Sequence, residues 1–240
     1  MHRPAARLPL IDLARAAALA AMVAFHLGRD MEILGMLPPG ATFTPGWRWA
    51  AYGIAGSFVA LAGASLWLAH GRGVRWRAYG RRLGVLAAAA VVVSAATYVA
   101  MPGAWVRFGI LHSIALSGVL ALPFLRLPWP PTLIAGLALV AAAGTVVPAL
   151  SGPAWLWLGL APTVPPMIDY EPVVPWTGPF LIGLALAKAA DGRGWLDRLR
   201  GAPSGRAWDR LAWPGRHSLA VYLIHQPVLM GLLIAWQRLT

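Results

Sequence analysis

Three histidines of this 240-residue chain, His26, His112 and His225, fall within or at the edges of long apolar runs. An ionisable side chain in such a run is costly unless it is paired or hydrated, which makes each one a functional candidate. Asp12, Arg15, Leu19, Met22 and His26 follow one another at spacings of 3, 4, 3 and 4, which puts them on one face of a helix. Asp12 and Arg15 are set for an i, i+3 pair. His26 then lies about 21 Å further along the axis at helical rise, near the outer end of the helix. Asp30 follows His26 by four residues, and a carboxylate there could hold one ring nitrogen protonated and leave the other free as a base. On spacing alone two readings stand: a general base at the outer mouth of a helix bundle, or a histidine reaching for the headgroups beside an acidic neighbour.

Arg107 and His112 open the fourth apolar run and lie five positions apart, so they do not share a helix face. Arg107 suits a positive group for a developing oxyanion, or an interfacial anchor. His112, with Ser113 and Ser117, suits a site or plain hydrogen bonding between helices. The last run gathers Ser218, Tyr222, His225 and Gln226 on one flank, followed by Pro227. Pro227 frees the carbonyl of Leu223, which then needs a partner from a neighbouring helix or a hydrated cavity. The segment 168–176 holds Asp169 and Glu171, the only acids of residues 151–172. Its prolines keep it extended, as a wall over a cavity or as a solvated loop. The remaining histidines, His2, His70 and His217, are expected in loops.

A near-neutral imidazole can take a proton from an attacking amine or hydroxyl. The same residue types also serve proton relays, so a proton-coupled transporter is the alternative reading. No repeat symmetry between halves supports it. A haem cytochrome with two of the three histidines as axial ligands is a further rival. The chain has no cysteine, which excludes disulfides, thiolate catalysis and Cys-ligated metal. No metal is expected, and Walker, HExxH and GxSxG signatures are absent.

Only a membrane-spanning architecture can position these groups. Apolar residues make up 59% and charged residues 12% of the chain, with a mean hydropathy of +0.64. That is too little polar side chain to cover a water-facing surface. Apolar runs at 8–27, 49–69, 83–100, 108–125, 133–150, 173–190 and 219–236 predict an all-α polytopic bundle of about seven spans, read as a single domain over 1–240. Gly56, Ala60, Gly63 and Ala64 in the second run predict close helix packing. Alternation of the runs gathers fourteen of the twenty basic residues on one side. By the positive-inside rule that side is cytoplasmic, with the N-terminus inside and the C-terminus outside. The net charge of +12 is therefore orientation rather than nucleic-acid binding. Asp12 and Arg15 interrupt the first run, which argues against a cleaved signal peptide. Trp195, Leu196 and Leu199 among arginines predict a short interfacial helix within 192–213.

Taken together, several stretches resemble one family. They are 11–15 running to 22–26 with Asp30; 61–66; 107–112; Asp169 to Trp176; and 215–219 running to 222–227. The set is similar to bacterial members of the heparan-α-glucosaminide N-acetyltransferase catalytic-domain family. The resemblance implies an integral protein of a bacterial cytoplasmic membrane, in contact with lipid. Its expected reaction moves an acetyl group from cytoplasmic acetyl-CoA, a co-substrate, to an amine or hydroxyl of an extracytoplasmic sugar or glycan. It implies His26 as catalytic histidine, with Asp30 beside it. Arg15, Arg107, His112, Asp169, His225 and Gln226 would line the site. The chain has fewer spans than the lysosomal and polysaccharide-modifying relatives, which leaves a place for a second subunit, as in a homodimer.

Overall fold

The computed structural model describes residues 8–200 and 205–239, with the side chain of Arg200 left aside. Nine α-helices run in the order α1 (Pro9–Ile33), α2 (Pro45–His70), α3 (Trp76–Ala100), α4 (Ile110–Leu120), α5 (Trp129–Ala141), α6 (Val173–Gly192), α7 (Trp195–Arg200), α8 (Arg206–Arg216) and α9 (Ser218–Leu239) among the described residues. No strand forms among them; one isolated parallel bridge joins Phe108 to Tyr170.

Five helices, α1, α2, α3, α6 and α9, are long and apolar enough to cross a membrane. The other two expected spans are shorter, at 11 residues for α4 and 13 for α5. Backbone punctuation inside the apolar runs explains the difference. Gly109 is extended just before α4, and Pro123 opens a 3-10 turn soon after it. Past α5, Gly144 sits at φ 80° and Pro148 begins another 3-10 turn. Hydropathy does not register such breaks, whereas a helix cannot run through them. Conversely, α3 starts at Trp76, seven residues before its apolar run, because Arg77, Arg81 and Arg82 are good helix formers.

The described residues divide into two compact units, residues 59–196 and residues 8–58 with 197–200 and 205–239. Helix α6 is the centre of the first. Its apolar window is 72% buried, far more than that of any other long helix. Small residues let neighbours reach its backbone. A side chain at Gly63 of α2 would strike the Phe180 carbonyl, and one at Gly183 would strike that of Ala60. Gly136 of α5 and Gly178 of α6 face each other in the same way, the small-residue packing used where apolar burial alone gives little preference. The buried Ser117 and Thr177 hydroxyls pair at 2.8 Å between α4 and α6. Lys188, a cation inside α6, donates to the carbonyls of Phe124 and Leu127, and its ammonium lies 5.1 Å from the Trp67 ring centre. Its charge is thus fully engaged, as burial demands.

In the second unit α1 packs on α8 and α9. Leu19 and Met22 are buried, so the face expected from the 3–4 spacing does turn inward. Gly215 of α8 lies so close to the Asp12 carbonyl that no larger residue fits. Glu32 ties down the loop after α1. Its carboxylate accepts from the amides of Gly40 and Thr42 and from the Thr42 hydroxyl. The described residues of 192–213 form α7 and most of α8, with Trp195, Trp208, Leu211 and Trp213 exposed.

Candidate functional site

The expected site residues fall into two groups, one in each unit, with Arg15 apart from both. In the second unit, α1 and α9 bring His26 and His225 together with ring centres 4.9 Å apart. The Gln226 amide donates to Asp30 Oδ1 at 2.7 Å, joining residues 196 positions apart in the chain. His225 Nδ1 lies 2.6 Å from the Tyr222 carbonyl. A carbonyl can only accept, so Nδ1 carries the proton and Nε2 keeps its lone pair.

What remains is a set of acceptors. Asp30 Oδ2, Gln226 Oε1 and His225 Nε2 are all buried, and none has a hydrogen-bond partner. Buried polar atoms in native proteins are nearly always satisfied, and exceptions call for an explanation. Three unsatisfied acceptors beside the His26 ring would suit the N–H or O–H groups of a bound substrate. The geometry also alters one sequence expectation: Asp30 bonds to Gln226, and no hydrogen bond joins it to His26 among the described residues. Trp47 and Phe25 wall this end of α1. Their ring centres lie 5.1 Å apart, and the indole covers Gly28 so closely that a side chain there would overlap it.

Arg15 is paired with Asp12 at 3.3 Å, as the i, i+3 spacing predicts. It stands eleven residues before His26, about 16 Å along the helix.

In the first unit Asp169, His112 and Arg107 have hydrogen bonds turned to the backbone or to a serine that serves it, while the neighbouring Ser113 Oγ is buried without a partner. Asp169 Oδ2 accepts from the Ile110 amide at 3.0 Å and so caps the start of α4. His112 Nδ1 accepts from the Gly109 amide at 3.3 Å. Its proton therefore sits on Nε2, 3.4 Å from the Ser94 hydroxyl, which in turn donates to the Val106 carbonyl at 2.7 Å. Both ring nitrogens of His112 are engaged. Arg107 donates to the Pro166 carbonyl at 3.3 Å, and its guanidinium lies 4.8 Å from the Trp105 ring centre. The Glu171 amide donates to the Phe108 carbonyl at 3.1 Å and the Ile168 amide to the Ala104 carbonyl at 2.9 Å, which fixes the 168–171 segment against the entry to α4.

Burial pushes the Asp169 carboxyl up to about 6, against the pull of the Ile110 amide. Glu171 is pushed up to about 10, by burial first and then by the Asp169 charge. Its Oε2 is buried without a partner. Glu171 is thus a neutral acid at physiological pH, able to donate a hydrogen bond. Sequence reading noted its position but gave it no role, since i, i+2 spacing in a loop carries no signal of burial. Ser94 carried no signal either.

No group of three or more His, Asp or Glu side chains able to hold a metal occurs among the described residues. No curated protein and no solved structure matched the chain. The family model described as heparan-alpha-glucosaminide N-acetyltransferase, catalytic, matches residues 7–227. That range takes in both units and every expected site residue. With five helices fit to cross a bilayer, the chain belongs to the heparan-alpha-glucosaminide N-acetyltransferase catalytic family and is a membrane-embedded acyltransferase.

Proposed function

We propose that the protein transfers an acetyl group from cytoplasmic acetyl-CoA to an amine or hydroxyl on an extracytoplasmic sugar or glycan, with His26 as general base. One observation carries this reading: the buried, unsatisfied acceptors of Asp30, Gln226 and His225 gathered beside His26. A nucleophile bearing N–H or O–H groups is what such a set would hold, and the family supplies the acyl chemistry. In the proposed step, Asp30 and Gln226 orient the acceptor. His26 takes the proton from the attacking nitrogen or oxygen as that atom bonds to the thioester carbonyl carbon. The tetrahedral adduct collapses with breakage of the C–S bond, and the CoA sulfur leaves, picking up a proton. His225 Nε2 is a second acceptor within the same group.

Residues 1–240 act in this reading as one catalytic domain, since the family match runs through both units. The basic side faces the cytoplasm of a bacterial inner membrane, which puts the N-terminus inside. The carrier reading of the same residues has no observation in its favour.

Incubation of the purified chain with acetyl-CoA, with thiol release as readout, tests the chemistry. His26→Ala should abolish turnover in protein that still elutes as the wild type does. Near-normal turnover in that variant would move the base to His225. Mass spectrometry of envelope glycans with and without the protein should reveal the acceptor, through loss of one acetyl mass.

A further inference from the structure

A second polar group lies in the first unit, where α2 ends and α3 begins. His70 was expected in a loop; it is instead the last residue of α2 and is buried. With Tyr79 and Arg82 of α3 it lines a cavity of about 40 Å³, roughly three times the space one water molecule needs. The rest of the wall is mostly apolar, with Leu66, Leu83, Leu86, Ile114 and Phe180 among its residues.

Ser65 also lines the cavity, with its hydroxyl donated to the Leu61 carbonyl; the other three polar side chains can all donate. His70 Nδ1 accepts from the Arg75 amide at 3.2 Å, which leaves the ring proton on Nε2. Tyr79 is only 9% exposed, yet its hydroxyl has no hydrogen-bond partner. The Arg82 side chain is exposed, and no acidic side chain pairs with it among the described residues. Sequence gives a reason: no Asp or Glu occurs between positions 33 and 168. Arg75, Arg77 and Arg81 line a second, open hollow beside Trp76, so the start of α3 is strongly cationic. A guanidinium, a phenol and an imidazole N–H lining one cavity match an anion with several acceptor oxygens. The apolar remainder matches a ligand whose anion is esterified to a carbon chain.

We propose that this cavity is a phosphate-ester site, in which Arg82, the Tyr79 hydroxyl and His70 Nε2–H hold the anion and the surrounding leucines receive the start of its chain. Two sources share that chemistry, a phospholipid headgroup and the phosphates of the CoA donor. Only the second rests on the function proposed above.

The test uses the full chain. CoA affinity is measured in detergent, and phosphatidylglycerol and phosphatidylcholine retention from mixed nanodiscs is counted by native mass spectrometry. Arg82→Gln should weaken the true ligand about tenfold or more, and Tyr79→Phe about threefold, from the usual worth of charged and neutral hydrogen bonds. Arg82→Lys should recover part of the loss. A fall in CoA affinity with unchanged lipid retention identifies the nucleotide phosphates. A fall in phosphatidylglycerol retention with unchanged CoA affinity identifies the lipid. If Arg82→Gln elutes and melts as the wild type does and changes neither, the proposal is wrong. Should that variant fail to fold, Tyr79→Phe, which removes a single oxygen, decides alone. A chain that binds CoA through Arg82 but releases no thiol would overturn the acetyl-transfer reading and leave this site standing.

Discussion

The groups around His26 and around His112 contain the same residue types, yet their hydrogen bonding differs. At the start of α4, the Asp169 carboxylate, both nitrogens of His112 and the Arg107 guanidinium reach backbone groups or a serine that serves one. Ser113 Oγ and Glu171 Oε2 stay unmatched there, but between α1 and α9 it is the candidate site residues themselves that leave a carboxylate oxygen, an amide oxygen and a ring nitrogen buried and unmatched. Backbone amides at a helix start must be satisfied wherever they are buried, so side chains placed there are consumed by the fold. His26, Asp30, His225 and Gln226 all lie beyond the first turn of their helices, where the backbone amides have already bonded within the helix and make no such demand. A histidine in a membrane helix is therefore a better catalytic candidate beyond the first turn of the helix than within it.

The sharpest way to break this contrast is to remove each histidine in turn. His26→Ala should lower thiol release from acetyl-CoA by about a hundredfold or more, the usual worth of a general base. His112→Ala should leave the rate within a few-fold while lowering the thermal midpoint. The reverse result would exchange the roles of the two groups.

Gln226→Leu tests the open group through its one internal bond. It removes the donor to buried Asp30, and should cost about 1–3 kcal/mol, read as a lower unfolding midpoint together with loss of turnover. Asp169→Ala removes only the cap on α4, at about 0.5–2 kcal/mol. Its midpoint should fall while turnover per folded molecule persists, and a silent midpoint would refute the capping role.

A last refinement concerns Glu171, whose carboxyl rises from 4.5 to about 10 on folding. Between those values the native state holds a proton that the unfolded state has released. Stability is then full below the lower value and falls as pH rises towards the upper one. Glu171→Gln should flatten that slope in a series of thermal midpoints against pH. An unchanged slope would assign the effect to another group.

Much of the architecture was legible from the order of residues. Apolar runs located all five long helices, because a helix that crosses lipid must be apolar over its length. The spacing of Leu19, Met22 and His26 gave the inward face of α1, since 3.6 residues per turn leaves little choice. Ala60 and Gly63 announced close packing of α2, and only the structure named α6 as the partner. The lengths of α4 and α5 were missed, because glycine and proline end a helix without lowering the hydropathy of the run. His70 was missed for the opposite reason: a polar residue at a helix end looks solvated until its neighbours are known.

Sequence by itself determined that this chain is a membrane protein, which of its polar residues fall within apolar runs, and which of them share a helix face. These are local properties, set by side-chain polarity and helical period. Tertiary structure alone decided which of those residues are free to act. Asp30 accepts from Gln226 rather than holding His26, and His112 is bound on both sides while His225 keeps a lone pair. Whether a polar atom is satisfied depends on what long-range packing brings within about 3 Å of it, and no spacing along the chain encodes that.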